Sequence, residues 1–360
     1  MARALLAALS AAGQPVELAS RLRSYDRDGD AQRQGRIRGL AERSAARLLR
    51  RYHARPPRAW LTYHAYHKSP DWLGPQIAGA LDIPYLIAEA SFAPKQAAGP
   101  WAQGHIATGR AIGRADVVLV MTAQDAECLR PLVEPPAELR SLPPFLDPAP
   151  FLAARAARTR HRADIACQFH LDPGQPWLLA VAMMRPDVKR QSYLLLGEAL
   201  GRLGREPWQL LVVGDGAARA EIEAALARAA SGRVRFAGMV PEEALPAFYA
   251  AADLLVWPAV REAYGLAMLE AQAAGLPVVA GREGGVAAVV QDGLTGILTA
   301  PRDSAAFAAA TRRLLLAPRR RLAMGEAAAR FVAGERSLAQ AATTLAAALA
   351  DADAIRAARR

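Results

Sequence analysis

The sequence contains few cysteines, few aromatic residues and almost no lysine. Its 360 residues include two cysteines, Cys128 and Cys167, and only 6% are aromatic. Two cysteines exclude a disulfide-rich secreted scaffold and suit a reducing compartment, so we expect a cytoplasmic protein. No apolar run approaches the ~18 residues of a membrane-spanning helix. The remaining composition, 52% hydrophobic and 22% charged, is typical of a globular chain long enough for two domains.

The net charge of +11 comes almost entirely from arginine. Basic clusters lie in residues 47–58, 312–321 and 356–360, with Tyr52 as their single interleaved Phe, Tyr or Trp and without a recognisable nucleic-acid motif. This pattern favours solvated helical faces, and we predict no nucleic-acid partner. The alternative use of these clusters is a peripheral contact with anionic lipid at the inner face of the membrane.

The three lysines, Lys68, Lys95 and Lys189, stand out against this arginine background. Each follows a predicted strand, and open α/β sheets bind ligands beyond the carboxyl ends of their strands. A lysine supplies a compact point charge, which arginine does not. The lysines are therefore candidates for ligand contacts, with chance placement as the alternative.

Strands and helices alternate along the whole chain, which predicts α/β domains with mainly parallel sheets. Seven prolines between residues 131 and 150 interrupt the alternation and indicate a domain border. We expect an N-terminal domain over residues 1–152 and a C-terminal domain over residues 153–335. The predicted strands cover residues 60–63, 84–88, 117–121, 177–183, 210–213, 234–236, 254–257 and 278–280.

The start of the chain does not follow the usual order of such a domain. A helix is predicted over residues 2–12 and a strand over residues 14–19. A Rossmann-like domain normally begins with a strand and a glycine-rich turn before its first helix. The first strand and glycine loop of the N-terminal domain are therefore expected to be missing, either because the given start is internal to the true gene or because this copy has lost part of its acceptor-side floor. Asp26, Asp28 and Asp30 alternate nearby, but they lack the glycine and distal glutamate of a calcium loop, so we predict a polar surface loop and no metal site.

Residues 261–298 carry the strongest functional signal. An apolar helix begins at Gly265, directly after a predicted strand and loop, and its free amides favour a phosphate. Glu262 precedes this helix, and Glu270 lies over a turn further along, where it can accept hydrogen bonds from a ribose. The alternative is structural, because a glutamate before a helix is electrostatically favourable and Glu270 can be an ordinary solvated residue.

The spacing Glu-x7-Glu around Gly265, followed by AQAAGLPVVA and GGV…DGLTGIL, closely resembles the retaining glycosyltransferases of the GT-B fold, group 1 or family-four class. The resemblance implies two Rossmann-like domains with parallel sheets facing across a cleft, and a C-terminal helix over residues 336–360 that crosses back to the first domain. It implies transfer of a sugar from a nucleotide-diphosphate-sugar donor to a hydroxyl acceptor with retention of configuration, without a required cofactor or metal.

The resemblance also assigns roles to residues at matching positions. Glu262 would bind the donor sugar, while Arg185 and Lys189 would bind the donor diphosphate as catalytic groups. The other donor-binding candidates lie in the glycine-rich turns, in the loop expected to hold the nucleotide base, and in the helix after Gly265: Gly214, Val240, Gly265, Leu266, Glu270, Gly284 and Gly285.

Polar residues at the strand ends of the N-terminal domain are the acceptor-side candidates. They are His64, Lys68, Glu89, Ser91 and Lys95. A histidine at such a place is as readily a structural loop residue as a proton carrier. The alternative function is a non-catalytic nucleotide-sugar-binding protein derived from this fold, because a first domain without its first strand can lose acceptor chemistry while the second still binds the donor.

Overall fold

The computed structural model describes residues 1–204 and 206–359. The chain divides into two compact units, which are described separately. Unit 1 comprises Met1–Pro143 and Ala339–Arg360, and unit 2 comprises Pro144–Leu338. The sequence-based borders were residues 152–153 and 335–336. Each unit contains one parallel sheet with its own hydrophobic core.

Unit 1 is built on a four-stranded sheet in the order β1-β2-β3-β4. All three strand pairings are parallel, so each strand is followed by a helix that returns the chain to the other end of the sheet. The elements are α1 (Ala2–Ala11), α2 (Ala31–Tyr52), β1 (Trp60–Ala65), α3 (Gly74–Leu81), β2 (Tyr85–Ala90), α4 (Ala102–Arg114), β3 (Val117–Val120), α5 (Ala123–Leu129) and β4 (Glu138–Ser141).

Unit 2 contains a six-stranded parallel sheet in the order β10-β9-β8-β5-β6-β7. The elements are α6 (Ala149–Ala156), α7 (Arg158–Phe169), β5 (Trp177–Val181), α8 (Val188–Gly201), β6 (Gln209–Val213), α9 (Arg219–Ala229), β7 (Val234–Gly238), α10 (Leu245–Ala251), β8 (Leu254–Trp257), α11 (Leu266–Ala273), β9 (Val278–Gly281), β10 (Gly296–Thr299), α12 (Ser304–Leu315) and α13 (Pro318–Glu335). The last helix, α14 (Leu338–Ala358), lies almost wholly in unit 1.

The strand order of unit 2 reverses between β5 and β8, which are neighbours in the sheet. In open α/β sheets, the loops that leave two such strands diverge and open a crevice at their carboxyl ends. The loop after β5 leads to Lys189, and the loop after β8 contains Glu262. The fold therefore brings together two residues that are far apart in the sequence.

One prediction for unit 1 is wrong, and a second holds only in part. Residues 14–19, all of them described, form an irregular segment instead of a strand, and Val16 and Leu18 are exposed. The loop with three aspartates is not simply a polar surface loop, because Asp26 is buried and accepts a hydrogen bond from Gln34 Nε2 at 2.8 Å. Asp30 caps α2 by accepting from the Arg33 amide. None of the helices in the described residues is both long and apolar enough to span a membrane.

Candidate functional site

The loop between β8 and α11 has a strained backbone. Ala259 and Arg261 adopt left-handed conformations, with φ of 60° and 48°, although neither is a glycine. Such residues cost on the order of 1–3 kcal/mol each and persist only where the surroundings hold them in place. Gly265, the N-cap of α11, has a φ of 72°, which glycine adopts without strain.

Neighbouring elements hold the backbone of this loop through hydrogen bonds and close packing. The amide of Val260 donates to the buried Ser192 Oγ on α8 at 3.0 Å. The amide of Gly285 donates to the Ala263 carbonyl at 2.8 Å. Gly284 has a φ of 61°, and a Cβ there would lie 1.9 Å from the Glu262 carbonyl oxygen. The two glycines therefore allow the next loop to pack directly against the backbone of Glu262.

Replacing Gly284 by alanine is expected to destabilise unit 2 and displace Glu262. Left-handed backbone costs a residue with a Cβ about 1–2 kcal/mol, and the contact with Glu262 adds a steric penalty. Gly293 is the matched control, because its φ is 78° but nothing lies within 4 Å of its would-be Cβ. Thermal unfolding should show a larger loss for Gly284→Ala than for Gly293→Ala. Equal losses would mean that close packing on Glu262 is unimportant.

Glu262 lies in a largely buried charge pair. Its Oε2 is 2.6 Å from Lys189 Nζ and accepts a hydrogen bond from Trp257 Nε1 at 3.0 Å. The side chains of Lys189 and Glu262 are only 18% and 12% exposed. Such a pair is held in one geometry because breaking it would leave an uncompensated charge away from water. Asp187 caps α8 by accepting from the Lys189 amide at 2.9 Å, which fixes the start of that helix.

The N-terminus of α11 lies beside this pair. Its N-cap, Gly265, provides no side-chain hydrogen bond to the helix, and its would-be Cβ is 3.2 Å from Glu262 Cγ. The first turn, starting at Leu266, therefore presents amides and partial positive charge close to the Glu262 side chain, which in turn holds the Lys189 ammonium. Together, these groups suit an anion, while the Glu262 carboxylate suits hydroxyl donors.

Glu270 lies on α11 and is bound to a tyrosine. Tyr249 Oη on α10 donates to Glu270 Oε2 at 2.7 Å. Burial raises the pKa of Glu270, and the tyrosine hydrogen bond lowers it in part. Tyr249 is fully buried, and its pKa is raised well above the usual range by burial and by the neighbouring carboxylate. The tyrosine thus orients the half-buried carboxylate of Glu270. Ionising this carboxylate costs free energy unless hydrogen-bond donors reach it.

The remaining donor-side candidates lie at the ends of β5, β6 and β7. Arg185 is 47% exposed and pairs with Asp187 at 3.1 Å, separately from the Lys189–Glu262 pair. Gly214 has a φ of 139°, and a Cβ there would lie 2.0 Å from the Ala182 carbonyl. Its amide donates to the Gly238 carbonyl at 2.8 Å, which ties the ends of β6 and β7 together. Val240 follows β7 and is half-buried against the core.

In unit 1, His64 and Glu89 form a pair across neighbouring strands. Tyr63 pairs with Ala88 and Ala65 with Ala90, so the two residues lie opposite each other inside β1 and β2. Both have left-handed backbone, with φ of 64° and 61°. His64 Nδ1 is 3.0 Å from Glu89 Oε1. The sequence analysis expects these residues after the strands, whereas in the structure they lie within them. Both strands therefore have a left-handed residue at the same point of the pairing.

The other acceptor-side candidates have separate surroundings. Lys68 Nζ donates to the Arg27 carbonyl at 3.3 Å and lies 4.1 Å from the centroid of the Trp101 ring. The Ser91 amide donates to the Ala65 carbonyl at 2.9 Å, which extends the pairing of the two strands by one residue. Lys95 follows β2 in a short 3₁₀ turn and is exposed.

Sequence reasoning missed three side chains that hold the donor-side candidates or their loop in place. Trp257 and Tyr249 were read only as strand and helix residues, although they hold Glu262 and Glu270. Ser192 was not singled out, although it holds the strained loop. Trp257 offers a weak signal in the sequence, because it ends a strand directly before a loop that contains a glutamate. Tyr249 and Ser192 belong to no sequence pattern that distinguishes them from other residues of their helices.

Comparison with known proteins places this arrangement in context. Residues 175–317 match the family model described as glycosyl transferases group 1. A D-inositol 3-phosphate glycosyltransferase from Kineococcus radiotolerans is 34% identical over 320 residues, which cover 78% of this chain and 70% of the relative. The alpha-D-kanosaminyltransferase of Streptomyces kanamyceticus is 31% identical over 247 residues, or 68% of this chain. The chain spans 62% of the length of the latter enzyme, and 46% and 21% of two other D-inositol 3-phosphate glycosyltransferases.

Solved structures share the fold at low sequence identity. Sucrose-phosphate synthase from Thermosynechococcus elongatus matches with a TM-score of 0.69 and 23% identity, over 96% of this chain and 90% of that protein. Anabaena HepE, solved in complex with UDP-glucose, matches with a TM-score of 0.66 and 17% identity, over 86% of this chain and 83% of HepE. These matches confirm the predicted α/β fold with two parallel sheets, the GT-B type.

Proposed function

This chain belongs to the group 1 glycosyltransferases, and from that premise we propose that it transfers a sugar from a nucleotide-diphosphate-sugar donor to a hydroxyl acceptor with retention of configuration. The observation that carries the proposal is the buried Lys189–Glu262 pair beside the uncapped start of α11. This array offers positive charge for a diphosphate and a carboxylate for sugar hydroxyls within one small region of unit 2.

In the proposed reaction, the bond between the anomeric carbon and the diphosphate breaks, and the diphosphate leaves with the electron pair. Lys189, Arg185 and the first amides of α11 stabilise that developing charge. Glu262 orients the donor sugar through its hydroxyl groups. The acceptor hydroxyl oxygen forms the new bond to the anomeric carbon, and its proton passes to a phosphate oxygen of the departed diphosphate or to water. Protonation of the leaving group contributes little, because a diphosphate is already a good leaving group.

The diphosphate would compete with Glu262 for the ammonium of Lys189. At 2.6 Å, the ammonium and carboxylate neutralise each other, and donor binding would redistribute this charge towards the phosphate oxygens. Glu262 would then accept hydrogen bonds from the sugar in place of the ammonium, while Trp257 Nε1 keeps its orientation. In this proposal, the Lys189 ammonium holds the Glu262 carboxylate in position before the donor sugar binds.

Glu270, held by Tyr249, is proposed to accept hydrogen bonds from the ribose, and Gly214, Val240, Gly284 and Gly285 to surround the rest of the donor. HepE, which shares this fold, is described in complex with UDP and with UDP-glucose, which supports a nucleotide-sugar donor.

In unit 1, His64, Glu89 and Ser91 are proposed to contact the acceptor. A cytoplasmic location with docking at the inner membrane face completes the proposal.

Nucleotide binding to unit 2 is tested by thermal unfolding with UDP, GDP and ADP. A nucleotide present at 100 times its dissociation constant is expected to stabilise the protein by about 2.7 kcal/mol. Glu270→Ala should weaken that nucleotide by roughly 10- to 150-fold, because hydrogen bonds to a charged group contribute about 1.5–3 kcal/mol. Tyr249→Phe should give an intermediate loss, since it removes only the group that orients the carboxylate.

Glu127→Ala is the control, because Glu127 is an exposed carboxylate of unit 1 and should leave the nucleotide shift unchanged. The absence of a shift with all three nucleotides would contradict the donor site. Binding without turnover of any nucleotide sugar would favour the non-catalytic binding protein instead. Where transfer is observed, the anomeric proton coupling of the product tests retention.

A further inference from the structure

Two exposed methionines lie at one edge of the sheet of unit 2. Met239 is 81% exposed and Met183 is 56% exposed. Met183 follows β5 and Met239 follows β7, so both lie beyond the carboxyl ends of their strands. The methionines elsewhere in the chain, apart from Met1, are buried: Met121, Met184, Met268 and Met324. Methionine is among the residue types most often buried, so two exposed thioethers at one edge favour a surface that a ligand covers.

The pairing of β5, β6 and β7 places Gly214 between these methionines. Val181 pairs with Val213, and Val213 pairs with Gly238, so the three strands end side by side. Adjacent strands are about 4.8 Å apart, which puts the ends of β5 and β7 roughly 10 Å from each other. Gly214 directly follows Val213 and has no side chain to fill this gap. A Cβ there would lie 2.0 Å from the Ala182 carbonyl oxygen, so the position requires glycine.

The backbone on both sides of Met183 is fixed to the end of β6. The amide of Ala182 donates to the Val213 carbonyl at 3.1 Å, and the amide of Met184 donates to the Asp215 carbonyl at 2.8 Å. The Asp215 carboxylate is itself paired with an arginine of α9 at 2.9 Å. A group that enters the gap therefore meets thioethers and backbone. Sulfur makes favourable contacts with the edges of aromatic rings, so the gap suits a flat aromatic group.

We propose that Met183 and Met239 are oxidation sites, and that their conversion to sulfoxides weakens nucleotide binding by unit 2. The inference rests on the proposed function, because the aromatic group in the gap is taken to be the nucleobase of the donor, between Gly214 and Val240. Oxidation of methionine follows exposure, so these two residues react before the buried ones. A sulfoxide is polar and chiral, and it replaces an apolar contact with the base by a group that prefers water.

The oxidation step is a two-electron reaction with hydrogen peroxide. The thioether sulfur attacks one peroxide oxygen with a lone pair, the O–O bond breaks, and a sulfur–oxygen bond forms. The departing hydroxide takes the proton of the transferred oxygen and leaves as water. The sulfur is oxidised and the peroxide is reduced. Methionine sulfoxide reductases reverse the change, with one enzyme for each epimer, so the modification is a reversible switch.

The first test follows oxidation of the full chain by peptide mass spectrometry. Hydrogen peroxide should convert Met183 and Met239 before Met324, which is 4% exposed. Whichever of UDP, GDP and ADP binds unit 2 should slow the oxidation of both residues at saturation. Inorganic pyrophosphate, which has no base, should not slow it. Dithiothreitol after each treatment restores disulfides and sulfenic acids formed by the two exposed cysteines, and it leaves the sulfoxides in place.

The second test measures the dissociation constant of that nucleotide by calorimetric titration, comparing each protein with its own untreated sample. Treated wild type should bind at least about fivefold more weakly, since one thioether contact with a ring accounts for up to roughly tenfold. Met183→Leu/Met239→Leu should bind equally before and after treatment, because leucine keeps the apolar volume and is not oxidised. Met324→Leu is the matched control and should lose affinity as wild type does. Reductase treatment should restore wild type.

Equal dissociation constants for treated and untreated wild type, with both residues shown to be sulfoxides, would overturn the inference. An equal loss in the double leucine variant would do so too, as would equal protection by pyrophosphate. Failure here is distinguishable from failure of the proposed function. Nucleotide binding that depends on Glu270 and is unchanged by oxidation would leave the transferase proposal standing and remove the switch. The absence of nucleotide binding by the untreated protein would contradict both.

Discussion

Replacing Lys189 by methionine is expected to reduce kcat/KM by about 10²–10³-fold, the range found when one group that stabilises developing charge is removed. Methionine preserves much of the aliphatic stem near Trp257 and removes the ammonium. Arg190→Met is the matched control, because Arg190 is the next residue on α8 and forms an exposed ion pair with Glu221. The control should remain within about threefold of wild type, since exposed pairs contribute at most about 1 kcal/mol. Initial rates with the nucleotide sugar selected by thermal unfolding provide the measurement.

The same substitution also affects stability, and a second change separates the two effects. Lys189→Met leaves the Glu262 carboxylate largely buried without its ammonium, which should cost about 3–5 kcal/mol of unfolding free energy. Adding Glu262→Gln removes the uncompensated charge and lets the amide oxygen accept from Trp257 Nε1. The double variant should therefore regain stability but not activity. A double-mutant cycle on unfolding free energies measures the coupling of the pair.

Transfer by Lys189→Met at more than about a tenth of the wild-type rate would contradict the role of the ammonium, since one charged contact accounts for at least that factor. Recovery of activity in the double variant would show that Lys189 acts only by keeping Glu262 folded in place. In that case, the charge on the leaving diphosphate would have to be met by Arg185 and by the amides of α11.

The strands and helices of unit 2 were largely predictable from the sequence. Its strands are short apolar runs bounded by glycine, proline or polar residues, which is typical of a parallel sheet buried on both faces. The start of α11 at Gly265 and its end before Gly275 follow from local chemistry, because both glycines have positive φ. The predicted helix and strand after the loop with Glu262 are therefore confirmed to within a residue or two.

Unit 1 was harder to predict because its strands depend on their partners. Val16 and Leu18 alternate with polar residues as a half-buried strand does, yet both are exposed and the segment is irregular. In contrast, β4 was not predicted, since Glu138–Ser141 lacks an apolar run and has no buried residue. It forms a strand because β3 offers unpaired backbone groups along its edge. Neither outcome is encoded in local spacing.

The pairing of the candidate site side chains could not be predicted from local sequence either. Lys189 and Glu262 are 73 residues apart and meet because β5 and β8 are neighbours at the switch point of the sheet. Resemblance to a family suggested that both residues bind the donor, but not that they bind each other. The matched distortion of His64 and Glu89 likewise depends on the register between β1 and β2. Side-chain contacts of this kind follow from topology, which a single sequence specifies only indirectly.

Removing Arg356 and Arg359 together is expected to destabilise unit 1 by about 3–5 kcal/mol, because it leaves a buried carboxylate without its charge partners. Asp116, directly before β3, is fully buried, and its two oxygens accept from Arg356 Nη2 at 2.9 Å and Arg359 Nη1 at 2.8 Å. The only other hydrogen bond to this carboxylate among the described residues comes from the Tyr85 amide at 2.8 Å. The end of α14 and the residue just after it are thus joined to the sheet by two ion pairs that one amide cannot replace.

Calorimetry of Arg356→Ala/Arg359→Ala should show the unit 1 transition lowered by roughly 10 °C, with the unit 2 transition read separately where the two resolve. Arg55→Ala, at an exposed arginine of the same unit, should shift the transition by no more than ~2 °C, as expected of a surface substitution within about 0.5 kcal/mol. Adding Asp116→Asn to the double variant should recover part of the loss, because a neutral amide costs less to bury than an unpaired carboxylate. If the double variant is no less stable than Arg55→Ala, the carboxylate must be reached by water, and α14 would then be held to unit 1 by its apolar face alone.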